Sequence, residues 1–389
     1  MTTGAPRGVF LILSICNFVI GMGAFALIGM VEPLAEGLGV PVTAAASLLT
    51  VYAVGFAISS PVLVALTGRM GRRRVLALGM AVFGVTTLAA AAAPDLAVLY
   101  PLRVLAAMGA GLVTPVTLAI AAALAPPEGR GRALSAVFFG LTVSQVLGVP
   151  AGGWLAYTFG WRVVFVLVAV LVAPCIWLVW TRVPAGLRFA PVSLRDLGRT
   201  LLDGVAMATV GFTVVFIGAI YALYTYLSPL LSQTMGFGRD GVALALLVFG
   251  LGAPLGNLVG GWMADRLGAE RSLTGVCLVQ VAVLPLFALL PLPVAGLFGL
   301  IFVWSLVGWA FSPSQQLRLV QLDPARAPVL MSLHAASIYV GIAAGSAAGG
   351  VVVALAGLSM TGPAAGALAL AALGVLLWSH RAAALRRAG

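Results

Sequence analysis

Lysine is absent from the 389 residues of this chain, and all 21 basic side chains are arginine. Without lysine there is no Walker A nucleotide loop and no side chain for a Schiff base with substrate. The two histidines, His334 and His380, are too far apart for an HExxH zinc motif. The three cysteines, Cys16, Cys175 and Cys277, lie in apolar runs and are odd in number, which predicts no disulfide framework. We therefore expect no catalytic site, no metal and no cofactor.

Charge is also scarce, at 8% of residues, while 62% are hydrophobic. Soluble proteins have about 45–50% apolar and about 25% charged residues. Apolar stretches recur along the chain, and a membrane-spanning helix needs roughly 20 such residues. The pattern predicts an all-α membrane protein with twelve transmembrane helices. The predicted spans are residues 9–31, 44–67, 74–93, 97–124, 132–157, 161–181, 205–229, 241–264, 272–290, 294–317, 329–356 and 360–380.

The arginines are distributed unevenly between the two sides of the predicted membrane. Eighteen fall on the side of the termini, two (Arg162 and Arg239) on the other, and Arg103 lies within a span. Because arginine-rich short loops stay in the cytoplasm, both termini are predicted to be cytoplasmic, in a bacterial inner membrane. The net charge of +11 is explained by this topology, so we expect a lipid bilayer and no nucleic acid as partner.

An internal repeat divides the chain into two halves. Residues 68–71 match 265–268, and residues 148–153 match 345–350, both at an offset of 197. Two landmarks with one spacing predict parallel repeats, an arrangement typical of transporters that rock one half against the other. The predicted division is a six-helix bundle at 1–181, a cytoplasmic linker at 182–204 and a second six-helix bundle at 205–389.

These motifs carry a family resemblance. The loop at 68–71, Arg103 in the fourth span, the glycine-rich segment 140–153 and the stretch 224–229 resemble the major facilitator superfamily over essentially the whole chain. Within it, the sequence is similar to twelve-span drug:proton antiporters, especially arabinose-efflux-like permeases. The resemblance implies two pseudo-symmetric six-helix bundles. Three differences from that pattern affect the mechanism: Gly68 replaces the usual Asp, Ala106 and Ala107 replace Gln-Gly, and Ala24 stands where many relatives carry an acid.

The resemblance and the repeat together suggest a set of gating residues. These are Gly68, Arg69, Gly71, Arg72, Gly148, Pro150, Gly152, Gly153, Asp265, Arg266, Gly268 and Asp323. We expect Asp265 to approach the start of span 5 near residues 131–135, where free amides favour a carboxylate. Asp323 is expected to pair with Arg69 or Arg72 and so supply the acid that is missing at position 68.

Three residues are candidates for proton coupling. By the predicted spans, Glu32 is the one carboxylate near membrane depth, at the end of span 1. Arg103 lies inside span 4 and needs a partner, so the two are expected to be coupled directly or through water. His334 is a candidate because histidine titrates near neutral pH unless its surroundings perturb it strongly. The alternatives are an interfacial Glu32, a structural interhelical bond at Arg103 and a packing role for His334.

Polar and aromatic side chains within the spans are candidates for the substrate cavity, although helix packing is the alternative for each. They are Asn17, Tyr52, Gln145, Tyr224, Tyr226, Asn257, Trp304, Trp309 and Tyr339. Tyr224 and Tyr226 are two positions apart and therefore point to nearly opposite faces of a regular helix, unless Pro229 unwinds its end.

The sequence favours a monomeric secondary transporter that exports small organic or drug-like molecules in exchange for protons, by alternating access. Uptake or exchange of a metabolite, such as a sugar or nucleoside, is the alternative within transport. A membrane-embedded enzyme or a channel is the alternative of another class, but the chain has no cluster of acids, histidines and nucleophiles with a recognisable spacing.

Overall fold

The computed structural model describes residues 8–125, 130–187, 194–323 and 326–388. Among them, twelve helices are long and apolar enough to cross a membrane, and no residue is in a strand, which confirms the predicted fold class. A short helix, Leu194–Leu201, lies inside the predicted linker. Spans 1 to 12 are Val9–Leu38, Val42–Leu66, Arg72–Ala91, Leu96–Leu124, Arg130–Val143 with Val149–Phe159, Trp161–Arg182, Gly204–Tyr224 with Leu227–Met235, Arg239–Leu267, Ala269–Val283, Val294–Leu322, Ala327–Ala356 and Thr361–Ala388.

The chain forms two compact units, Met1–Pro191 (unit 1) and Val192–Gly389 (unit 2). Unit 1 contains spans 1 to 6, and unit 2 contains spans 7 to 12. In unit 1, span 1 contacts spans 2, 4, 5 and 6, and in unit 2, span 7 contacts spans 10, 11 and 12. The first span of each unit is also its most buried, with 78% and 72% of the apolar window buried. These two helices therefore hold their units together.

The glycine-rich segments of the repeat, residues 148–153 and 345–350, lie in contacts between helices. A Cβ atom at Gly29 in span 1 would lie 2.7 Å from the carbonyl oxygen of Val149 and 2.9 Å from the Cα of Gly153 in span 5. In unit 2, a Cβ at Gly345 in span 11 would lie 2.7 Å from the Cα of Gly218 in span 7. Small residues let helix backbones approach closely where lipid supplies no hydrophobic drive. Spans 1 and 5 in unit 1, and the equivalent spans 7 and 11 in unit 2, thus pack through glycine.

Two spans contain irregular turns just before a proline. Span 5 has a π turn at Ser144–Gly148, and span 7 is interrupted at residues 225–226. Proline has no N–H, and its ring clashes with the carbonyl four residues earlier, which is Val146 for Pro150 and Thr225 for Pro229. Span 7 is thus interrupted on the N-terminal side of Pro229, the exception to a regular helix that the sequence left open.

Span 1 is longer than predicted. Its helix continues through Pro33 to Leu38, and Gly39 ends it in the left-handed conformation at φ 64°. The predicted end at residue 31 was wrong. Polar residues interrupt the apolar sequence after that position, but the helix continues. Glu32 consequently lies inside the helix, six residues before its end.

We expect Gly29→Ala to destabilise the protein by about 1–3 kcal/mol, because the new methyl group overpacks the contact with span 5. Gly275→Ala is the matched control: it lies inside span 9, and no atom lies within 4 Å of the point that its new methyl group would occupy. There the change should be neutral or stabilise the helix by about 0.5–1 kcal/mol. Reversible unfolding of both variants in mixed detergent micelles measures the difference. Equal stability of the two variants would show that the contact between Gly29 and span 5 has room for a methyl group.

Candidate functional site

Arg103 is fully buried inside unit 1, at 1% exposure. Its Nη1 donates to the carbonyl oxygen of Gly23 at 2.9 Å, and its Nη2 donates to that of Ala24 at 3.4 Å. The guanidinium carbon lies 4.4 Å from the ring centroid of Tyr52 in span 2, a cation–π distance. Gly23 and Ala24 are at the middle of span 1, so the charge of Arg103 is held at the middle of the helix bundle.

Glu32 has a different partner. The hydroxyl of Tyr157 in span 5 donates a hydrogen bond to its Oε2, and the side chain is half-buried. Glu32 follows Ala24 by eight positions, which is about 12 Å along a helix at 1.5 Å per residue. The predicted direct pair of Glu32 and Arg103 is therefore not formed, because the long arginine side chain reaches the middle of span 1. Coupling through water stays a prediction.

A second polar contact in unit 1 joins three spans at Asn17. Its Nδ2 donates to Thr117 Oγ1 in span 4 at 2.9 Å and to the carbonyl of Val137 in span 5 at 3.4 Å. The Oδ1 of Asn17, the Oε1 of Gln145 and the hydroxyl of Tyr52 are buried and have no hydrogen-bond partner among the described residues. Unit 1 therefore contains three buried hydrogen-bonding groups without a partner among the described residues, and one of them, the Tyr52 hydroxyl, belongs to the ring against Arg103.

An aromatic cluster lies inside unit 2. Tyr224 of span 7 stacks on Phe249 of span 8, with ring centroids 3.9 Å apart, and Trp304 of span 10 packs edge-on against both rings. The hydroxyl of Tyr224 and the Nε1 of Trp304 are buried without a hydrogen-bond partner in the described chain. Tyr226 points elsewhere: its hydroxyl donates to the carbonyl of Ser346 in span 11 at 3.1 Å.

His334 belongs to a buried polar cluster in unit 2. Its Nδ1 lies 3.1 Å from Thr213 Oγ1 in span 7, and Gln315 Nε2 in span 10 donates to the same hydroxyl at 3.2 Å and to the carbonyl of Thr209 at 2.8 Å. Nε2 of His334 and Oε1 of Gln315 have no partner among the residues that the structure describes. The cluster joins spans 7, 10 and 11 and contains one titratable side chain.

The other cavity candidates lie elsewhere on their spans. Asn257 is half-buried on span 8, Trp309 of span 10 lies beside Gly256, and Tyr339 of span 11 is 9% exposed. A role for these three in binding stays a prediction.

The gating residues are divided between the two units. In unit 1, Gly68 is buried, Arg69 is exposed, and the N–H of the buried Arg72, which follows Gly71, donates to the carbonyl of Leu187 at 3.0 Å. Gly148 and Gly152 pack against Met22 and Ala26 of span 1; Pro150 and Gly153 are buried beside them.

The gating residues of unit 2 lie at the ends of spans 8 and 10. Asp265 and Arg266 are exposed, and Gly268 ends span 8 at φ 81°. The approach of Asp265 to residues 131–135 stays a prediction, and the side chains of residues 131, 132 and 135 lie outside those described.

Asp323 is part of an ion-pair network in unit 2. Nε of Arg326 donates to its carboxylate at 2.7 Å, and Nη2 of Arg326 donates to Asp203 at 2.9 Å. Hydrogen bonds to the two carboxylates raise the pKa of Arg326 above its usual value, and Asp323 has the larger effect. This network connects the loop before span 11 to the start of span 7. The predicted pairing of Asp323 with Arg69 or Arg72 stays a prediction.

Several residues of these clusters were missed in the sequence. Tyr157, Phe249 and Thr213 are common residue types in apolar spans and give no local signal. Gln315 does give one, because a buried amide in a spanning helix needs partners and polar groups there are costly.

We expect Tyr226→Phe to lower the free energy of unfolding by about 0.6–1.7 kcal/mol, because it removes a hydrogen bond between spans 7 and 11. Tyr224→Phe removes a buried hydroxyl without a partner and should leave stability unchanged or raise it. Unfolding curves of the two variants in the same detergent provide the measurement. Greater destabilisation by Tyr224→Phe would contradict this assignment of partners.

Comparison with known proteins places the chain in a family. A family model described as Major Facilitator Superfamily matches residues 13–327. The uncharacterized MFS-type transporter YbcL of Bacillus subtilis (strain 168) is 32% identical over 345 residues, 88% of each chain. A chloramphenicol resistance protein of Streptomyces lividans is 32% identical over 346 residues, 86% of each chain.

The fold is also similar to that of a solved transporter. A bacterial homolog of the human lysosomal transporter Spinster, in an inward-facing and occupied conformation, has a TM-score of 0.75 at 18% identity, over 99% of this chain and 96% of the other. At that identity the likeness shows the fold alone. Taken with the sequence relatives, it shows that the chain belongs to the Major Facilitator Superfamily and is a multi-pass membrane transporter.

Proposed function

We propose that this transporter exports small organic, drug-like molecules from the cytoplasm in exchange for protons, by alternating access in the bacterial inner membrane. The observation that carries the proposal is the 32% identity to a chloramphenicol resistance protein over 86% of both chains. Export is one way in which a membrane transporter confers resistance. Chloramphenicol, a small uncharged amphipathic molecule, is therefore the first substrate to test.

The sidedness of the proposed site rests on the orientation of the chain, whereas the direction of transport rests on the resistance-protein relative. Eighteen of the 21 arginines lie on the side of both termini, which supports cytoplasmic termini. Unit 1 then has the start of span 1 on the cytoplasmic side and Glu32 toward the outer side.

Proton coupling needs a side chain that changes charge inside the membrane. Five of the ten acids lie within the spans, and of these Glu36, Asp240, Asp265 and Glu270 are within two residues of a span end. Glu32 is deeper and half-buried, so protons can reach it. The Tyr157 hydroxyl donates a hydrogen bond to Oε2 of Glu32 and orients that side chain. We assign Glu32 as the proton carrier.

Within each unit, considered by itself, the unused polar and aromatic groups are the proposed anchors for substrate. In unit 2 these are the Tyr224 hydroxyl and the Trp304 indole N–H, and in unit 1 the Tyr52 hydroxyl and the Gln145 carbonyl oxygen. Apolar surroundings with a few such anchors suit amphipathic organic molecules. A buried polar atom without a partner favours a ligand that supplies one.

Everted vesicles test the proposed function directly. With the vesicle interior acidified and reported by a quenched dye, chloramphenicol should restore fluorescence, because it enters as protons leave. Vesicles without the protein and vesicles treated with a protonophore are the controls. A response that requires the opposite proton gradient would indicate uptake by symport and would contradict export.

We expect Glu32→Gln to reduce this response to the level of empty vesicles. Glutamine keeps an acceptor for Tyr157, so the fold is preserved, but it cannot release a proton. His334→Asn is the matched comparison: it keeps an acceptor for Thr213 near the position of Nδ1 and should retain the response. Loss of the response in His334→Asn with full activity in Glu32→Gln would assign the proton to unit 2 instead.

A further inference from the structure

Among the described residues of unit 1, no acidic side chain is paired with Arg103. Its contacts are the carbonyls of Gly23 and Ala24 and the rings of Tyr52 and Phe165, the latter with its centroid 6.0 Å from the guanidinium carbon. Carbonyl oxygens and aromatic faces carry only partial negative charge. A buried arginine is costly unless it is paired, and within a membrane its partners are acidic side chains or backbone carbonyls. The carbonyls bound here leave the full charge of Arg103 without an anion among the described residues.

Most of the donors of this guanidinium are unused. Arginine has five N–H groups in a planar fork, and two of them form the bonds to span 1. The Nε–H of Arg103 has no partner among the described residues, and neither has the buried hydroxyl of Tyr52, whose ring lies against the guanidinium. These groups together form a set of donors suited to a carboxylate or sulfonate, which accepts two parallel hydrogen bonds.

The position of this donor set matches the level at which transporters bind their substrates. Residues 23 and 24 are halfway along span 1, which runs from Val9 to Leu38. Substrate sites of secondary transporters lie near the bilayer midplane. The site is closed in this structure, since Arg103 is 1% exposed and Tyr52 is 1% exposed. Ligand entry requires the surrounding helices to part, which transport itself requires.

We infer that Arg103 and the Tyr52 hydroxyl form an anion-recognition subsite, and that the transporter prefers amphipathic molecules with a carboxylate or sulfonate group over cationic ones. A cationic ligand would lie beside an arginine with no acid to neutralise it, since Glu32 is about 12 Å farther along span 1 and is bound to Tyr157. This inference rests on the proposed transport of small organic molecules and names their charge class.

Two xanthene dyes of similar size, fluorescein (anionic) and rhodamine 6G (cationic), test the charge preference. Fluorescence anisotropy with the purified full-length protein in uncharged detergent measures binding without any pH gradient. We expect the wild-type protein to bind fluorescein at least about tenfold more tightly than rhodamine 6G. Arg103→Gln should weaken fluorescein binding about tenfold and leave rhodamine binding unchanged or stronger.

Arg318→Gln is the control, because Arg318 is also buried in a span, at 6% exposure, but lies in unit 2 with Nη2 bonded to Ser379 at 2.8 Å. It should retain the preference for fluorescein. If Arg103→Gln does not fold, Tyr52→Phe removes only the hydroxyl donor and should still weaken fluorescein binding several-fold.

Weak or absent fluorescein binding by the wild-type protein would overturn the inference, as would unchanged fluorescein binding in a folded Arg103→Gln variant. Failure of the vesicle assay together with an arginine-dependent preference for fluorescein would reject proton-driven export and leave the subsite standing. Chloramphenicol-driven proton release without any charge preference would support proton-driven export and reject the anion-recognition subsite.

Discussion

The absence of water from the hydrocarbon core of a bilayer is the constraint on which this structure depends. Each unpaired backbone group there costs several kcal/mol, so the chain crosses as helices. The interruptions of the α-helix at residues 225–226 in span 7 and at the π turn Ser144–Gly148 in span 5 are made largely of buried residues. Irregular backbone is tolerated there because neighbouring helices, rather than lipid, surround it.

The same constraint determines how charged and polar side chains are used. Arg103 bonds to carbonyls of span 1, Glu32 accepts from Tyr157 of span 5, and Arg318 donates to Ser379 of span 12. Each of these bonds joins two helices of one unit. Because lipid is as apolar as the helix surfaces, such bonds and close glycine contacts hold the helices in register.

The two units use this chemistry differently. Unit 1 has a charged side chain at its centre, against the rings of Tyr52 and Phe165, whereas the centre of unit 2 has a neutral aromatic cluster around Trp304 and a histidine cluster. The sequence repeat at an offset of 197 therefore does not include the polar residues at the centres of the two units. One unit has a buried cation at its centre, and the other has a buried aromatic cluster.

The sequence by itself determined the membrane class, the twelve spans and the glycine contacts of spans 5 and 11, because hydropathy and small-residue motifs are local properties. It identified Arg103 as a buried charge that needs partners. Only the tertiary structure decided which partners it has: Gly23 and Ala24 lie 80 and 79 positions away, and Tyr157 lies 125 positions from Glu32. Such pairs depend on the rotation and depth of each helix against its neighbours. Packing in three dimensions sets those quantities, and no span carries them in its own residues.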